Sequence, residues 1–318
     1  MSLLIKKAGL LSTVQDLGRF RWRRFGINPN GAMDPVAARV ANILVGNDDD
    51  DALLEMHFPA AEIEFAMDTI FSICGGDFSP KLDGNELRPW RSFFARAGSS
   101  LKFGEKHSGE RCYLAVRNGL DVPDWLGSAS TNLNAKIGGI EGRQLRAGDS
   151  VPTNAAGDVV ADRLPAVSLN LLPRYSRFPT VRIIPGAEFE HLSAASRNSL
   201  LDQDFTISNR SNRMGFRLKG EPLALAKPRE FISSAVCFGT VQLLPDGQLI
   251  VLMADQQTAG GYPRIAHVVS RDLPLVAQLG AGDKIAFHLA EVDEAELLTI
   301  EFEKELSFLR VACRLAYK

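Results

Sequence analysis

No stretch of this sequence reaches the roughly 18 consecutive apolar residues that a membrane-crossing helix needs. Its start, MSLLIKKAGLLSTVQD, lacks the charged-then-apolar order and the cleavage site of a secretory leader. We therefore expect a cytoplasmic protein with no membrane partner. Neither sign of charge is in excess, since 36 Lys and Arg stand against 38 Asp and Glu, and nothing in that balance asks for nucleic acid. Cysteine is scarce. Cys74, Cys112, Cys237 and Cys313 are far apart, form no C-x-x-C pair and stand among apolar neighbours, so we read all four as buried thiols rather than as metal ligands or nucleophiles. His57, His107, His191, His267 and His288 are isolated from one another, and no metal site is assigned. The common catalytic signatures are missing too. There is no P-loop, no G-x-G-x-x-G after a strand, no H-E-x-x-H and no G-x-S-x-G, so neither nucleotide nor hydrolase chemistry follows from a motif of that kind.

What is present is an ordinary globular composition, 45% hydrophobic and 23% charged over 318 residues, a length that suits two domains of about 150 residues. Most of the chain reads as short strands. Glu62 to Met67 alternates apolar and polar, and RCYLAV, TVRIIPG, QLIVLMA and KIAFHL are β-branched or aromatic runs ended by Gly, Pro or Asp. Turns at Asp83-Gly84, Pro245-Asp246-Gly247 and Gly282-Asp283 separate them. Many short strands with frequent glycine predict a mostly β protein built from barrels or sandwiches rather than a doubly wound sheet.

Three helices interrupt this pattern. Asp34 is a good N-cap, Pro35 suits the first helical position, Val36, Val40, Ile43 and Leu44 share a face, and Gly46 is placed for the C-terminal cap. A second helix is expected from Glu188 to Gln203. A third begins at Asp293, with Glu296 completing a capping box and Leu298, Phe302, Leu306, Leu309 and Cys313 on one stripe. Pro152 to Pro173, rich in small and polar residues, is the best linker, which sets domains of residues 1–160 and 174–318. EGRQLRAGDSV and VAQLGAGDKIAF hint that each half closes with the same strand-turn unit.

Polar residues gather among glycines at four places. Gln15, Asp16 and Arg19 precede a basic aromatic stretch, and Asp34 follows a glycine turn; a solvated loop and a helix cap would explain the same residues. Ser128, Ser130 and Thr131 lie in a glycine-flanked loop with Arg143 beyond it, as an anion site or a structural turn would. Arg210, Arg213 and Arg217 fall within eight residues of one another; guanidinium forks suit carboxylate or phosphate oxygens, and a solvated basic face is the plain alternative. In the fourth segment an apolar strand delivers Asp255, Gln256, Gln257 and Thr258 to Gly260-Gly261 and Tyr262, which favours a ligand site because a rigid strand holds the polar groups where backbone can approach closely.

These segments carry a resemblance along nearly the whole chain. VQDLGR, GAMD, ANILVGN, LLEM, LGSAST, GGIEGRQLRAGD, SNRMGFRLKG, GTVQ and ADQQTAGGYPRIAHV, in this order, resemble the family of 5-oxoprolinase C subunits, also called KipA or allophanate hydrolase subunit 2, and the carboxyltransferase region of urea carboxylase and urea amidolyase. The resemblance implies two cyclophilin-like β-barrel domains with a few short helices. It implies an ATP-dependent lactam hydrolase active in a hetero-oligomer, cleaving 5-oxo-L-proline to L-glutamate. The implied partners are a KipI-like B subunit together with an A subunit similar to the lactam-utilisation (LamB/YcsF-like) proteins.

Activation of a lactam by ATP needs cations for phosphate, a base for water and donors for an oxyanion. The matching motifs offer Asp16, Asp34, Asp255 and Arg213 as catalytic candidates. Gln15, Arg19, Ser128, Ser130, Thr131, Arg217, Gln242, Gln257, Thr258 and Tyr262 are candidates for binding substrate or Mg-ATP. Two departures stand out: Ser233-Ser234 occupies the place of the family's usual Ser-Glu, removing a carboxylate, and Arg117 to Leu120 reads RNGL in place of a double-glycine turn. The family also admits a biotin-dependent carboxyltransferase, whose biotin would arrive on another chain because no A/V-M-K-M segment occurs here, and a regulatory partner of a KipI-like kinase inhibitor.

Overall fold

The computed structural model describes residues 2–154, 164–168 and 172–317. The chain is mostly β and divides into two compact units, one comprising Met1–Arg19, Asn30–Arg174 and Glu303–Lys318, the other Phe20–Pro29 and Tyr175–Phe302. Much of the expected linker, residues 155–163 and 169–171, lies outside the described residues. Its described part is bound to the first unit, where Ser92 N donates to Pro165 O at 2.9 Å and Val167 N to Trp90 O at 2.9 Å.

The first unit contains β1 (Ser2–Lys7), β2 (Ser12–Gln15), β3 (Leu53–His57), β4 (Glu62–Phe65), β5 (Thr69–Asp77), β6 (Lys81–Leu82), β7 (Asn85–Glu86), β8 (Arg91–Ala95), β9 (Ser100–Lys102), β10 (Ser108–Val116) and β11 (Ser150–Pro152). They form a six-stranded sheet in the order β11-β1-β4-β9-β6-β7 and a five-stranded sheet in the order β2-β3-β10-β5-β8. In β4, Ile63 and Phe65 are buried while Glu62 and Glu64 lie partly exposed, as the alternation predicts. β5 and the second half of β10 are instead buried continuously, because the helix α1 (Pro35–Leu44) packs on them. Ser72 Oγ ties β5 to that helix by donating to Ala41 O at 2.6 Å.

Both ends of α1 follow from local chemistry. Asp34 Oδ1 accepts from Ala37 N at 2.9 Å, and Gly46 takes φ 79°, the left-handed conformation that ends helices at little cost to glycine. The RNGL departure is also local: Asn118 adopts φ 66°, a conformation asparagine tolerates better than most side chains.

The second unit contains β12 (Thr180–Pro185), β13 (Phe205–Ile207), β14 (Gly215–Lys219), β15 (Ser234–Ala235), β16 (Thr240–Leu243), β17 (Leu249–Leu252), β18 (Ala259–Gly260), β19 (Arg264–Val268) and β20 (Lys284–Leu289). Seven of these close a barrel in the order β12-β19-β16-β17-β14-β13-β20, and β15 pairs separately with β18. Val181, Ile183, Phe205, Phe216, Val241 and Val251 are buried in this unit, each contributing about 1.5–3 kcal/mol of transfer free energy.

The expected second helix is shorter at its start than the sequence predicts. A 3-10 turn covers Phe189–His191, and the helix α2 (Ala194–Asp202) begins only after Ser193, whose side chain caps Ser196 N at 3.1 Å. A short helix, α3 (Leu273–Ala277), and the 3-10 segment Phe20–Phe25 have no counterpart in the sequence reading. The C-terminal helix α4 (Val292–Ala316) carries the expected stripe, with Leu306 and Cys313 buried.

The similar strand-turn endings fold alike. Gly148 N donates to Ile5 O and Ile5 N to Asp149 O at 2.8 and 2.9 Å; Gly282 N donates to Ile207 O and Ile207 N to Asp283 O at 2.9 and 2.8 Å. Gly148 and Gly282 sit at φ 92° and 88°, and each following aspartate bonds an arginine, Arg143 or Arg177.

Candidate functional site

Seven of the candidate site residues lie in the first unit, and their side chains are engaged in holding it together. Asp16 accepts from Gly18 N (2.7 Å), Ser128 Oγ (2.7 Å), Ala129 N (2.6 Å) and Ser130 Oγ. Its carboxylate therefore organises the LGSAST loop. Arg19, 2% exposed, donates to Asn30 Oδ1 and Ser130 O at 2.5 Å and stacks 5.3 Å from the Trp125 ring centre. Thr131 Oγ1 donates to Val14 O at 2.9 Å.

The glycines beyond this loop are demanded by contact: a Cβ on Gly139 would lie 2.1 Å from Thr131 Oγ1, and Gly139 has φ 52°. Asp34 caps α1, and its own N–H donates to Tyr113 Oη, which in turn donates to Glu55 Oε2, both at 2.8 Å. Burial pushes the Tyr113 phenol well above its ordinary range, which keeps it a neutral donor. Gln15 is fully buried; its Nε2 donates to Thr13 Oγ1 at 3.0 Å, while its Oε1 has no partner.

The second unit assembles a different arrangement. Its base is a buried ion pair, in which Arg213 Nε and Nη2 lie 3.1 Å from Asp255 Oδ2 and Oδ1, with side chains 7% and 8% exposed. Asn28 Nδ2 donates to Asp255 O at 3.0 Å and to Gln256 O at 2.7 Å, fixing the backbone from the other side. Arg213 precedes β14, whereas Arg217 lies within it and points outward, exposed, so the two guanidinium groups do not converge.

From this base the chain runs through half-buried Gln257 and Thr258, whose O accepts from Val236 N at 3.2 Å, to β18. On β16 the register shifts between Val241 and Gln242, and such an irregularity re-aims a side chain. Gln242, 1% exposed, donates through Nε2 to Tyr262 O at 3.2 Å, and its Oε1 has no partner. Gly260 makes room for both amides: a Cβ there would lie 3.0 Å from Gln242 Nε2 and 3.3 Å from Gln257 Nε2. The result is a corner of two side-chain amides beside exposed Tyr262, offering donors and acceptors but no charge.

A cavity of about 620 Å³ opens along the same loop, lined among others by Phe231, Leu243, Gly261, Tyr262 and Arg229. Arg229 was missed in the sequence; it follows a proline in a charged KPRE run that reads as an ordinary solvated turn. The Ser233-Ser234 departure borders this corner, since Ser234 pairs with Gly260 and Ser233 Oγ lies 3.4 Å from a Cβ position on Gly261. Behind it, Arg264 is clamped by Glu188 through Nε and Nη2 at 3.0 and 2.7 Å. That hydrogen-bonded pair holds the Glu188 carboxyl below its ordinary range, against the opposing effect of burial.

Among the described residues no cluster of three or more His, Cys, Asp or Glu is arranged to hold a metal ion. Arg19 is engaged with Asn30 Oδ1 and backbone carbonyls, Arg213 is paired with Asp255, and Arg217 is exposed.

Residues 25–289 match the family model described as carboxyltransferase domain, subdomain A and B. The chain is 38% identical over 299 residues to the 5-oxoprolinase C subunit of Haemophilus influenzae, covering 94% of each protein. It is 38% identical over 313 residues to that of Escherichia coli, covering 98% of each. The crystal structure of the K. lactis urea amidolyase superposes with a TM-score of 0.91 at 26% identity, across 97% of this chain and 20% of that one. The chain belongs to the carboxyltransferase-domain family and, within it, to the C subunits of 5-oxoprolinase.

Proposed function

We propose that this chain is the C subunit of a cytoplasmic ATP-dependent 5-oxoprolinase, which cleaves 5-oxo-L-proline to L-glutamate together with two other chains, a KipI-like B subunit plus an A subunit of the lactam-utilisation type. The observation that carries this reading is the 38% identity, across almost the whole length, to two proteins named as the C subunit of 5-oxoprolinase. The chemistry of the second unit supports it. A lactam presents one N–H donor beside one C=O acceptor, and a side-chain amide is complementary to that pair. Gln242 and Gln257 supply two such groups, and the unpartnered Gln242 Oε1 is an acceptor matched to a lactam N–H. Arg229 on the cavity wall is matched to the substrate carboxylate.

We assign ATP, as Mg-ATP, to the assembled complex, with its phosphate-binding groups on the partner chains, because Arg19 and Arg213 are engaged by this chain's own groups. The role of this chain is then to hold and orient the lactam while its carbonyl is activated. Asp255 acts here as the brace of Arg213.

The second reading is a carboxyltransferase acting on urea or another small amide, favoured by the family-model match over residues 25–289. The same amide corner would recognise the acceptor, and biotin would be presented by another chain. Reconstitution separates the two readings. Glutamate release from 5-oxoproline and ATP is measured with the two cognate partner chains, each of the three omitted in turn. A requirement for all three supports the oxoprolinase reading; an assembled complex that releases no glutamate but carboxylates urea from a biotinyl donor replaces it with the second.

A further inference from the structure

Cys237 is not the buried thiol its apolar neighbours predict; it is partly exposed and belongs to a cluster outside the amide corner. A tight turn creates the cluster. Thr240 N donates to Cys237 O at 3.0 Å, and Gly239 takes φ 85°, the positive value that the third position of a type II turn requires. A Cβ on Gly239 would also lie 2.8 Å from Leu273 Cδ2.

The turn brings Cys237 Sγ to 3.4 Å from Thr240 Oγ1, and β-sheet register sets His267 on β19 directly opposite Thr240. His267 Nδ1 then lies 3.9 Å from Sγ and 3.2 Å from Thr240 Oγ1. Sulfur, hydroxyl and imidazole thus form one connected group. Cys237 and His267 line a cavity of about 450 Å³ whose other walls include Ile184, Phe238, Val268 and Ile300.

A partly exposed thiol beside an imidazole on a cavity wall is the microenvironment of a reactive cysteine. We propose that Cys237 is a site of S-thiolation by low-molecular-weight disulfides. The Sγ proton passes to His267 Nδ1, the thiolate attacks one sulfur of the incoming disulfide, and a mixed disulfide forms on Cys237. The other half leaves as a thiolate and takes a proton from solvent. Cys237 sulfur is oxidised, and one half of the disulfide is reduced.

The charged groups facing the thiol agree with this. The His267 hydrogen bond holds the Cys237 thiol below its ordinary range, against burial, with Thr240 and Arg23 acting in the same direction. Arg264 is electrostatically coupled to it, and Glu296 of α4 lines the cavity. The other three thiols are placed oppositely: burial pushes Cys74 and Cys112 well up and Cys313 up to about 11.

The test uses the full chain, under native conditions, with dithiodipyridine and with glutathione disulfide as probes. One thiol of the four reacts rapidly, peptide mass spectrometry places the adduct on Cys237, and Cys237→Ser abolishes the fast phase while melting like the parent. His267→Gln slows the reaction at neutral pH by about tenfold and moves the midpoint of the rate–pH curve upward. Thr240→Val, which keeps His267, gives a smaller shift in the same direction and serves if His267→Gln does not fold. Fast labelling of Cys74, Cys112 or Cys313 in the native chain, or a rate–pH curve unmoved by both variants, overturns the proposal.

Discussion

The amide corner makes Gly260→Ala the most informative substitution in the chain. Gly260 lies outside the left-handed region, so alanine meets no backbone strain there and the effect is confined to what the new methyl touches. That methyl would lie 3.0 Å from Gln242 Nε2, where ordinary contact starts near 3.4 Å. Gln242 must then retreat by about 0.4 Å, which stretches its 3.2 Å bond to Tyr262 O beyond hydrogen-bonding distance. Losing one such bond costs about 1 kcal/mol of stability, or a few degrees in melting temperature. Displacing a positioning group by a fraction of an ångström costs far more in turnover, about 10- to 100-fold in kcat/KM.

Gly261→Ala is the matched control, because its methyl meets Ser233 Oγ at 3.4 Å and Phe231 O at 3.6 Å, ordinary contacts both. The assay is glutamate release by the reconstituted complex, with a thermal melt of each variant. Equal activity of the two variants, or full activity of Gly260→Ala, would show that the Gln242 amide does not position the substrate.

Other consequences are separable from catalysis. Asp255→Asn removes the carboxylate of a buried ion pair and is expected to cost about 3–5 kcal/mol; a double-mutant cycle with Arg213→Met checks this, since removing both charges recovers part of the loss. Asp16→Asn removes the anion that four donors converge on. It is expected to destabilise the chain by about 2–4 kcal/mol without changing kcat of the folded fraction, as denaturant melts and active-site-normalised rates will show. Glu188, held below its ordinary range by Arg264, contributes stability that is fully present above the usual glutamate range and is lost as pH falls through and below that range. Glu188→Gln is therefore less stable than the parent at neutral pH, and the gap closes on acidification, read from melting temperature against pH.

What the sequence made legible was what short-range chemistry decides. The Asp34-Pro35 start and Gly46 end of α1 were readable because caps depend on a few adjacent residues. The alternation of Ile63 and Phe65 was readable because one face of β4 is buried, and the paired GD turns because a left-handed glycine followed by a bonding aspartate recurs. Family membership was readable because nine strings in a fixed order constrain more than any motif alone.

Long-range convergence was not readable. Arg213 and Arg217 look like a pair four residues apart, but one precedes a strand and bonds Asp255 across 42 residues while the other faces solvent. Asp16, Ser128 and Ser130 have the composition of an anion site, yet the loop closes on the chain's own carboxylate. Gln242, Gln257 and Tyr262 were named in the sequence and do meet, while Arg229 was passed over because a surface KPRE turn carries no local sign of the cavity beside it. Cys237 was misjudged because its exposure is set by the Gly239 turn and by strand register, neither visible in the apolar letters around it.

If the second unit's amide corner holds the substrate of an oxoprolinase complex, as proposed, Gln242→Leu must impair turnover without unfolding the chain. Leucine keeps the buried volume, removes the unpartnered Oε1 and gives up one hydrogen bond, so the melting temperature should stay unchanged or rise slightly. The account expects glutamate release by the assembled complex to fall about 100-fold or more in that same sample. A Gln242→Leu complex that melts like the parent and releases glutamate at the parental rate would contradict it.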